Sequence, residues 1–174
     1  PEEFDGKPFH VVANLPYYIT TPIVMKLLED KLPVKSMTLM VQKEVAERIC
    51  ASCGGKEYGA LSVAVQYYSK PYIICKAEPH CFMPQPKVAS SVVRLEVGET
   101  PSVNADSEKK FFAVVKSAFG QRRKTLVNAL SKSPYMSVTK EEVIQALSEI
   151  GLDENIRGEK LSLEQFALLS NKLS

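Results

Sequence analysis

Over its first hundred residues the chain alternates between short apolar runs and segments with helical spacing. Phe9–Ala13 is an apolar run with β-branched residues, and Ser36–Val41 has apolar side chains at every second position. Both patterns are typical of strands buried in a sheet. Two further strands are predicted at residues 71–75 and 88–97, the last with clear alternation of apolar and charged side chains.

Helices are predicted between these strands. Thr20-Thr21-Pro22 has the composition of a helix start, because threonine caps free amides and proline at the first helical position loses no hydrogen bond. Residues 43–50 predict a second short helix, which Gly54-Gly55 would end. Residues 58–68 fit both a helix and a strand, and the spacing of their apolar side chains favours the helix.

The pattern changes after Val97, and only helical spacing follows. Residues 99–105 have the composition of a linker. Helices are predicted at residues 106–119 and 124–130, and two more follow them. Each of these last two begins with a capping box, Thr139 to Glu142 and Ser162 to Gln165.

This order of elements predicts two domains. Alternating strands and helices predict a mixed α/β sheet over residues 1–98, and residues 106–174 predict a small all-α domain. The α/β part contains no glycine-rich strand-to-helix turn, with which nucleotide-type cofactors are usually held. It therefore has the character of the second half of a sheet, and either the fold is small or the sequence is a fragment. An exposed sheet edge in such a fragment would offer a dimer contact.

The composition is that of a globular protein, with 45% hydrophobic and 24% charged residues. The sequence contains no run of eighteen apolar residues, so no membrane span is predicted. No charged-then-apolar leader opens the chain, so we expect a cytoplasmic protein. Charge is distributed unevenly. Residues 106–132 include seven basic and two acidic side chains, whereas residues 139–174 include four basic and seven acidic ones.

Four cysteines raise the question of a metal or redox site. Cys50 and Cys53 have the CxxC spacing of such sites, but five residues separate Cys75 from Cys81. We expect reduced structural thiols and no metal.

Asn14-Leu15-Pro16-Tyr17, at the end of the first predicted strand, matches a signature of enzymes that methylate amino groups. The exocyclic amine of adenine is a poor nucleophile because its lone pair is delocalised into the ring, and two acceptors aimed at its N–H groups would favour the nucleophilic form. Asn14 can supply a side-chain oxygen and Leu15 a carbonyl, whose direction Pro16 restricts. Tyr17 can stack on an extruded base. The alternative is an ordinary Asn/Pro turn.

Further segments extend this match. In chain order they are "NLPYYITTPI", "QKEVAERI", "YGALSVAVQYY", "CFMPQPKVASSVVRL" and "AFGQRRKTLVNAL". From about Phe9 to the C-terminus the chain closely resembles the ribosomal RNA adenine dimethyltransferase family, whose bacterial member is known for kasugamycin sensitivity. The resemblance implies a class I methyltransferase fold that binds S-adenosylmethionine. It also implies transfer of two methyl groups to N6 of each of two adjacent adenosines near the 3′ end of 16S ribosomal RNA.

The resemblance implies roles for individual residues. Asn14 and the Leu15 carbonyl would hold the target amine, and Asn14 would border the methionine end of the cofactor. Tyr17 would stack on the adenine and Phe82 would cover its other side, although Phe82 could instead be a core aromatic before a proline turn. The family's glycine-rich cofactor loop and ribose-binding acidic residue are expected upstream of Pro1, so we expect the chain alone to be inactive.

The basic segment is suited to an RNA phosphate backbone. The RNA-binding candidates are Lys87, Lys116, Arg122, Arg123 and Lys124. The family more often has arginine where Val127 stands, which puts one phosphate contact in doubt. The alternative is a solvated helix face.

Two other functions stay open. One is methylation of a different RNA adenine, such as the large-subunit site that confers macrolide resistance. The segments "FGQRRKTL" and "FMPQPKV" resemble the small-subunit enzymes instead. The other is a non-catalytic module for RNA binding or ribosome assembly.

Overall fold

The structure is a computed structural model that describes residues 7–16 and 18–173. These residues divide into two compact units. The sheet unit comprises the described residues up to Cys50 together with Ala64–Ser102, and the helical unit comprises Ala51–Val63 together with the described residues from Val103 onward. The second boundary lies within the predicted linker, whereas Ala51–Val63 joins the helical unit although the sequence places it among the strands.

The sheet unit is built on a mixed sheet of four strands in the order β1-β2-β4-β3. The strands are β1 (Phe9–Asn14), β2 (Val34–Gln42), β3 (Ser69–Ala77) and β4 (Ser90–Val97). β1 and β2 are parallel, and the other two pairs are antiparallel. The predicted α/β class is therefore confirmed.

β4 begins two residues later than the predicted strand at 88–97. β2 ends where Gln42 pairs with Ser90, and the chain then turns directly into a helix. The Ala89 carbonyl accepts a hydrogen bond from the Lys43 amide at 3.0 Å instead of extending the ladder. The Ala89 carbonyl thus accepts from the first amide of that helix, because β2 has no further residue with which Ala89 could pair.

The core of the sheet unit lies on its two central strands, β2 and β4. Both are paired along both edges, and five of their apolar side chains are fully buried: Met37, Leu39, Val41, Val93 and Leu95. Burial of each such side chain contributes about 1.5–3 kcal/mol.

Two helices of the sheet unit accompany the strands, α1 (Thr20–Glu29) and α2 (Lys43–Ile49). The division between the two units falls within a third helix, α3 (Ala60–Tyr68). The helix predicted over residues 58–68 is confirmed, but it begins two residues later, at Ala60. Its sequence is ambiguous because four consecutive residues, Ser62–Val65, are all buried, which removes the contrast between apolar and polar faces.

The predicted threonine cap of α1 is wrong. The helix begins at Thr20, its N-cap residue is Ile19, and no side chain caps it. The Thr20 hydroxyl donates instead to the Pro16 carbonyl, one turn back, at 3.1 Å.

The helical unit carries α4 (Glu108–Gly120), α5 (Leu126–Ser131), α6 (Lys140–Glu149) and α7 (Leu163–Lys172). Both predicted capping boxes are confirmed, at the starts of α6 and α7. Gly151 follows α6 with a φ of 72°, a left-handed conformation that favours glycine. The core includes Phe111, Leu126, Leu130, Leu147, Leu161 and Phe166, all fully buried. No helix in the described residues is long and apolar enough to cross a bilayer.

Aromatic contacts explain why residues 51–63 belong to the helical unit. Tyr58 is 2% exposed, and its ring meets Phe119 edge-on with the ring centroids 5.9 Å apart. The ring centroid of Phe119 in turn lies 5.8 Å from that of Phe166. Burial raises the pKa of Tyr58, so its ring serves as a core side chain that keeps its proton.

Candidate active site and nucleic-acid interface

β1 delivers Asn14 and Leu15 to the carboxyl edge of the sheet. Asn14 is the last residue of β1 and pairs with Met40 on the parallel strand β2. In α/β sheets, ligands bind outside this edge of the strands. Asn14 is exposed and Leu15 half-buried, so the chain leaves the core at the point where the sequence predicts chemistry.

The hydrogen bonds of this loop separate its acceptors into two groups. The Pro16 carbonyl accepts from the Ile19 amide and from the Thr20 hydroxyl, both at 3.1 Å. In contrast, no described residue forms a hydrogen bond with the side chain of Asn14 or donates to the Leu15 carbonyl. The two acceptors assigned to the target amine are therefore unoccupied by described groups, while the next carbonyl anchors the start of α1.

Phe82 lies in the connection between β3 and β4. This connection makes one turn of 3₁₀ helix at Pro79–Cys81, after which the Phe82 amide donates to the Pro79 carbonyl at 3.2 Å. Phe82 is half-buried, whereas its neighbour Met83 is 99% exposed. The turn therefore directs the phenylalanine, and not the methionine, toward the sheet unit.

A cleft of about 350 Å³ brings these residues together. It is lined by Asn14, Leu15, Pro16, Met40, Phe82, Pro84, Pro86 and Ser90. Its volume lies at the lower end of the range of about 300–1,000 Å³ found for small-molecule sites. Phe82 thus lines the same cleft as Asn14, an arrangement that base stacking requires. Tyr17, the second predicted stacking residue, lies outside the described residues.

A second cleft in the sheet unit has a volume of about 450 Å³. Its lining includes Leu28, Leu32, Val34 and Pro101. Val34 is the first residue of β2, so this cleft lies at the amino edge of the parallel strands, opposite to the edge at which such sheets bind ligands. Volume alone would favour it, but strand direction favours the cleft at Asn14.

The predicted RNA-binding residues are all exposed, but their settings differ. Lys87 lies in the β3–β4 connection, one residue after the cleft-lining Pro86. Lys116 lies on α4, and Arg122, Arg123 and Lys124 follow it in a turn. The Arg122 guanidinium donates from Nη2 to the Lys56 carbonyl at 2.7 Å, a contact that the sequence does not reveal.

Val127 belongs to the core of the helical unit, since it is only 7% exposed. An arginine at this position would have to leave that core to reach a phosphate. Glu44 and Arg48 form a surface ion pair on α2.

All four cysteines are free thiols, and no group of three or more metal-ligating side chains occurs in the part of the chain that the structure describes. Burial raises the pKa of the Cys50 thiol, which makes it a weaker nucleophile.

Comparison with known proteins identifies relatives along the whole chain. The family model described as "Ribosomal RNA adenine dimethylase" matches residues 2–174. A ribosomal RNA small subunit methyltransferase A from Alkaliphilus oremlandii is 53% identical over 99% of this chain and 60% of its own length. Its counterpart from Clostridioides difficile is 51% identical over 98% of this chain and 58% of its own. The chain thus spans about 60% of the curated relatives that it matches.

Solved structures share the fold. A dimethyladenosine transferase from Plasmodium falciparum has a TM-score of 0.75 at 25% identity, covering 94% of this chain and 66% of its own. The 23S rRNA methyltransferase ErmE has a TM-score of 0.70 at 24% identity, with 96% and 66% covered. ErmE supports the fold alone. The family model and the curated relatives, in contrast, align with nearly the whole length of this chain. This chain therefore belongs to the ribosomal RNA adenine dimethylase family.

Proposed function

We propose that the protein containing this chain dimethylates N6 of two adjacent adenosines near the 3′ end of 16S ribosomal RNA, in the cytoplasm, during small-subunit maturation. The observation that carries this proposal is the hydrogen-bonding pattern at the end of β1. Two acceptors, the Asn14 side chain and the Leu15 carbonyl, have no donor among the described residues and border a cleft that also contains Phe82. An aromatic amine with two N–H groups matches this arrangement.

The residues of the cleft have separable roles in the proposed reaction. Asn14 and Leu15 accept hydrogen bonds from the amine and so orient its lone pair. Phe82 stacks on the extruded base, and the prolines beside it exclude water. These groups act by orientation and electrostatics, without a covalent intermediate on the protein.

S-adenosylmethionine, when bound, supplies an electrophilic methyl group. The amide of Asn14 is compatible with its polar methionine end, since no described residue occupies that side chain. We assign the remaining cofactor-binding elements to the part of the protein outside this chain.

RNA binding belongs mainly to the helical unit in this proposal. Lys116, Arg122, Arg123 and Lys124 contact phosphates there, and Lys87 contacts the RNA beside the cleft.

The free edge of β1 supports a further proposal, that the isolated chain dimerises. β1 pairs only with β2 among the described strands, and Val12 on it is 81% exposed. Light scattering of the isolated chain at two concentrations measures this association.

Methylation by the complete gene product tests the function. Small subunits lacking the modification are incubated with S-adenosylmethionine, and methylated bases are mapped by mass spectrometry. We expect four methyl groups on two adjacent adenosines of 16S RNA. Methylation of 23S RNA instead would support the macrolide-resistance type of enzyme, and RNA binding without transfer to any adenine would support a non-catalytic module. The isolated chain should show no thermal shift with the cofactor.

A further inference from the structure

A loop that is distant in sequence from the predicted basic segment is held firmly in the helical unit. In the loop of residues 51–57, the Gly54 amide donates to the Glu159 carbonyl at 2.7 Å, and Gly54 has a φ of 80° that suits glycine. The buried ring of Tyr58 anchors the other end. Lys56 lies between these two anchors with its side chain exposed.

Arg122 joins this loop to the turn at residues 121–124. Its Nη2 donates to the Lys56 carbonyl at 2.7 Å, and the turn itself is closed by a 2.8 Å bond from the Lys124 amide to the Gln121 carbonyl. An arginine has five N–H donors, so this single bond leaves most of its guanidinium available. Because the bond is exposed, it contributes little to folding, but it holds the backbone of Lys56 against the turn that contains the arginines.

A third segment, Gly158–Lys160, completes the arrangement. Gly158 is buried so closely that a β-carbon on it would lie 2.9 Å from that of Ala118. Lys160 is exposed, and its Nζ lies 4.0 Å from the position that a β-carbon on Gly54 would take. The ammonium group of Lys160 is thus next to the loop that carries Lys56.

We call these five cations the three-segment surface: Lys56, Arg122, Arg123, Lys124 and Lys160. All five are exposed, and none takes part in a salt bridge within the described residues. Lys26, Lys43, Arg48, Arg94 and Lys172, in contrast, each pair with a carboxylate. Acidic neighbours offset this excess only in part: the loop adds Glu57 and the third segment adds Glu159. Glu164 also lies close to the loop, since its charge adds to the rise that burial causes in the pKa of Tyr58. Unpaired cations held close together create a field that attracts a polyanion.

We propose that the three-segment surface binds the phosphate backbone of RNA, with Lys56 and Lys160 as direct contacts and Arg122 as the residue that positions Lys56. The inference rests on the proposed function and extends it, because it gives the same substrate two contacts outside the basic segment of the sequence. A phosphate backbone fits better than a compact anion, since the cations come from three separate segments that contact one another.

Salt-dependent RNA binding by the complete gene product tests the two lysines. Fluorescence anisotropy with a labelled 3′-terminal hairpin of 16S RNA measures affinity over a salt series. Lys56→Ala and Lys160→Ala should each weaken binding about three- to tenfold and lower the slope of log K against log salt by about 0.7–0.9. Lys140→Ala, an exposed lysine at the start of α6, is the matched control and should change neither value.

A double-mutant cycle tests the positioning role of Arg122. Arg122→Ala and Lys56→Ala should combine to less than the product of their separate effects, because removing the guanidinium already frees the lysine. Arg123→Ala and Lys56→Ala should multiply, and Arg122→Lys should restore part of the loss. Multiplicative effects for Arg122 with Lys56 would overturn the positioning role.

The outcomes also separate this inference from the proposed function. If Lys56→Ala and Lys160→Ala bind RNA like the wild type while the complete protein still methylates 16S RNA, the three-segment surface is wrong and the enzyme assignment stands. If the wild type methylates no adenine but the two lysine variants lose affinity as expected, the surface stands without the enzyme.

Discussion

Helices begin differently in the two units of this protein. Each of the helices α4 to α7 has a serine or threonine N-cap whose side chain accepts a hydrogen bond from a first-turn amide. Neither α1 nor α2 in the sheet unit has a side-chain cap. The first amide of α2 donates instead to the carbonyl of Ala89, a residue distant in the chain.

This difference shows which interactions specify the structure of each unit. The helical unit is specified by local side chains, which satisfy its helix ends and leave cations exposed on its surface. The sheet unit is specified by strand pairing between distant segments, which leaves the Asn14 side chain and the Leu15 carbonyl without a hydrogen-bond donor among the described residues. We therefore expect substitutions in the helical core to affect stability, and substitutions at the strand ends to affect activity.

The largest expected effect is on the stability of the helical unit. Phe166→Ala removes a fully buried ring and should lower the free energy of unfolding by about 3–5 kcal/mol. Chemical denaturation followed by circular dichroism measures this. Leu168→Ala on the same helix is the control, because Leu168 is 51% exposed and its loss should cost within about 0.5 kcal/mol. Equal costs for the two variants would contradict a core centred on Phe166.

Asn14→Ala should separate activity from stability in the sheet unit. Loss of an acceptor aimed at the reacting amine should lower the rate of methylation about 100- to 1,000-fold, by analogy with other preorganised polar groups. The melting temperature should stay unchanged, because Asn14 is exposed. Single-turnover methylation by the complete gene product measures the rate, with Asn155→Ala, an exposed asparagine of the helical unit, as control. Wild-type activity in Asn14→Ala would remove this residue from the mechanism.

Phe82→Ala should have a smaller effect on the same reaction. Stacking of a base on an aromatic ring contributes about 1–3 kcal/mol, and its loss should appear in the apparent KM for RNA and in the rate. Met83→Ala is the adjacent control, since Met83 is 99% exposed and does not line the cleft. If Phe82→Ala instead lowers thermal stability and leaves methylation unchanged, Phe82 is a core aromatic.

Much of the fold could be predicted because its signals are local. Alternation identified β2 and β4, and serine or threonine followed by glutamate or glutamine identified the starts of α6 and α7. The start of α1 was predicted wrongly, because Thr20 looks like a cap in sequence but bonds back to Pro16 inside the helix.

The candidate site was predictable only in part. A motif placed Asn14 and Leu15 at a strand end, and resemblance to a family added Phe82. The contact between Arg122 and Lys56 joins segments with no shared pattern, and Lys160 lies in a stretch of net negative charge. Such contacts depend on how loops that are distant in sequence pack together. Neither the spacing of residues nor the composition of a segment predicts that packing.

The smallest expected effect tests the comparison of helix starts directly. Thr139→Ala removes the N-cap of α6 and one half of its capping box, and should destabilise the helical unit by about 1 kcal/mol. Thr21→Ala near the start of α1 is the matched substitution in the sheet unit. It removes an exposed threonine that is not a cap, so the free energy of unfolding should change by less than about 0.5 kcal/mol. Equal losses in the two variants would mean that local capping does not distinguish the units, and that long-range packing orders both.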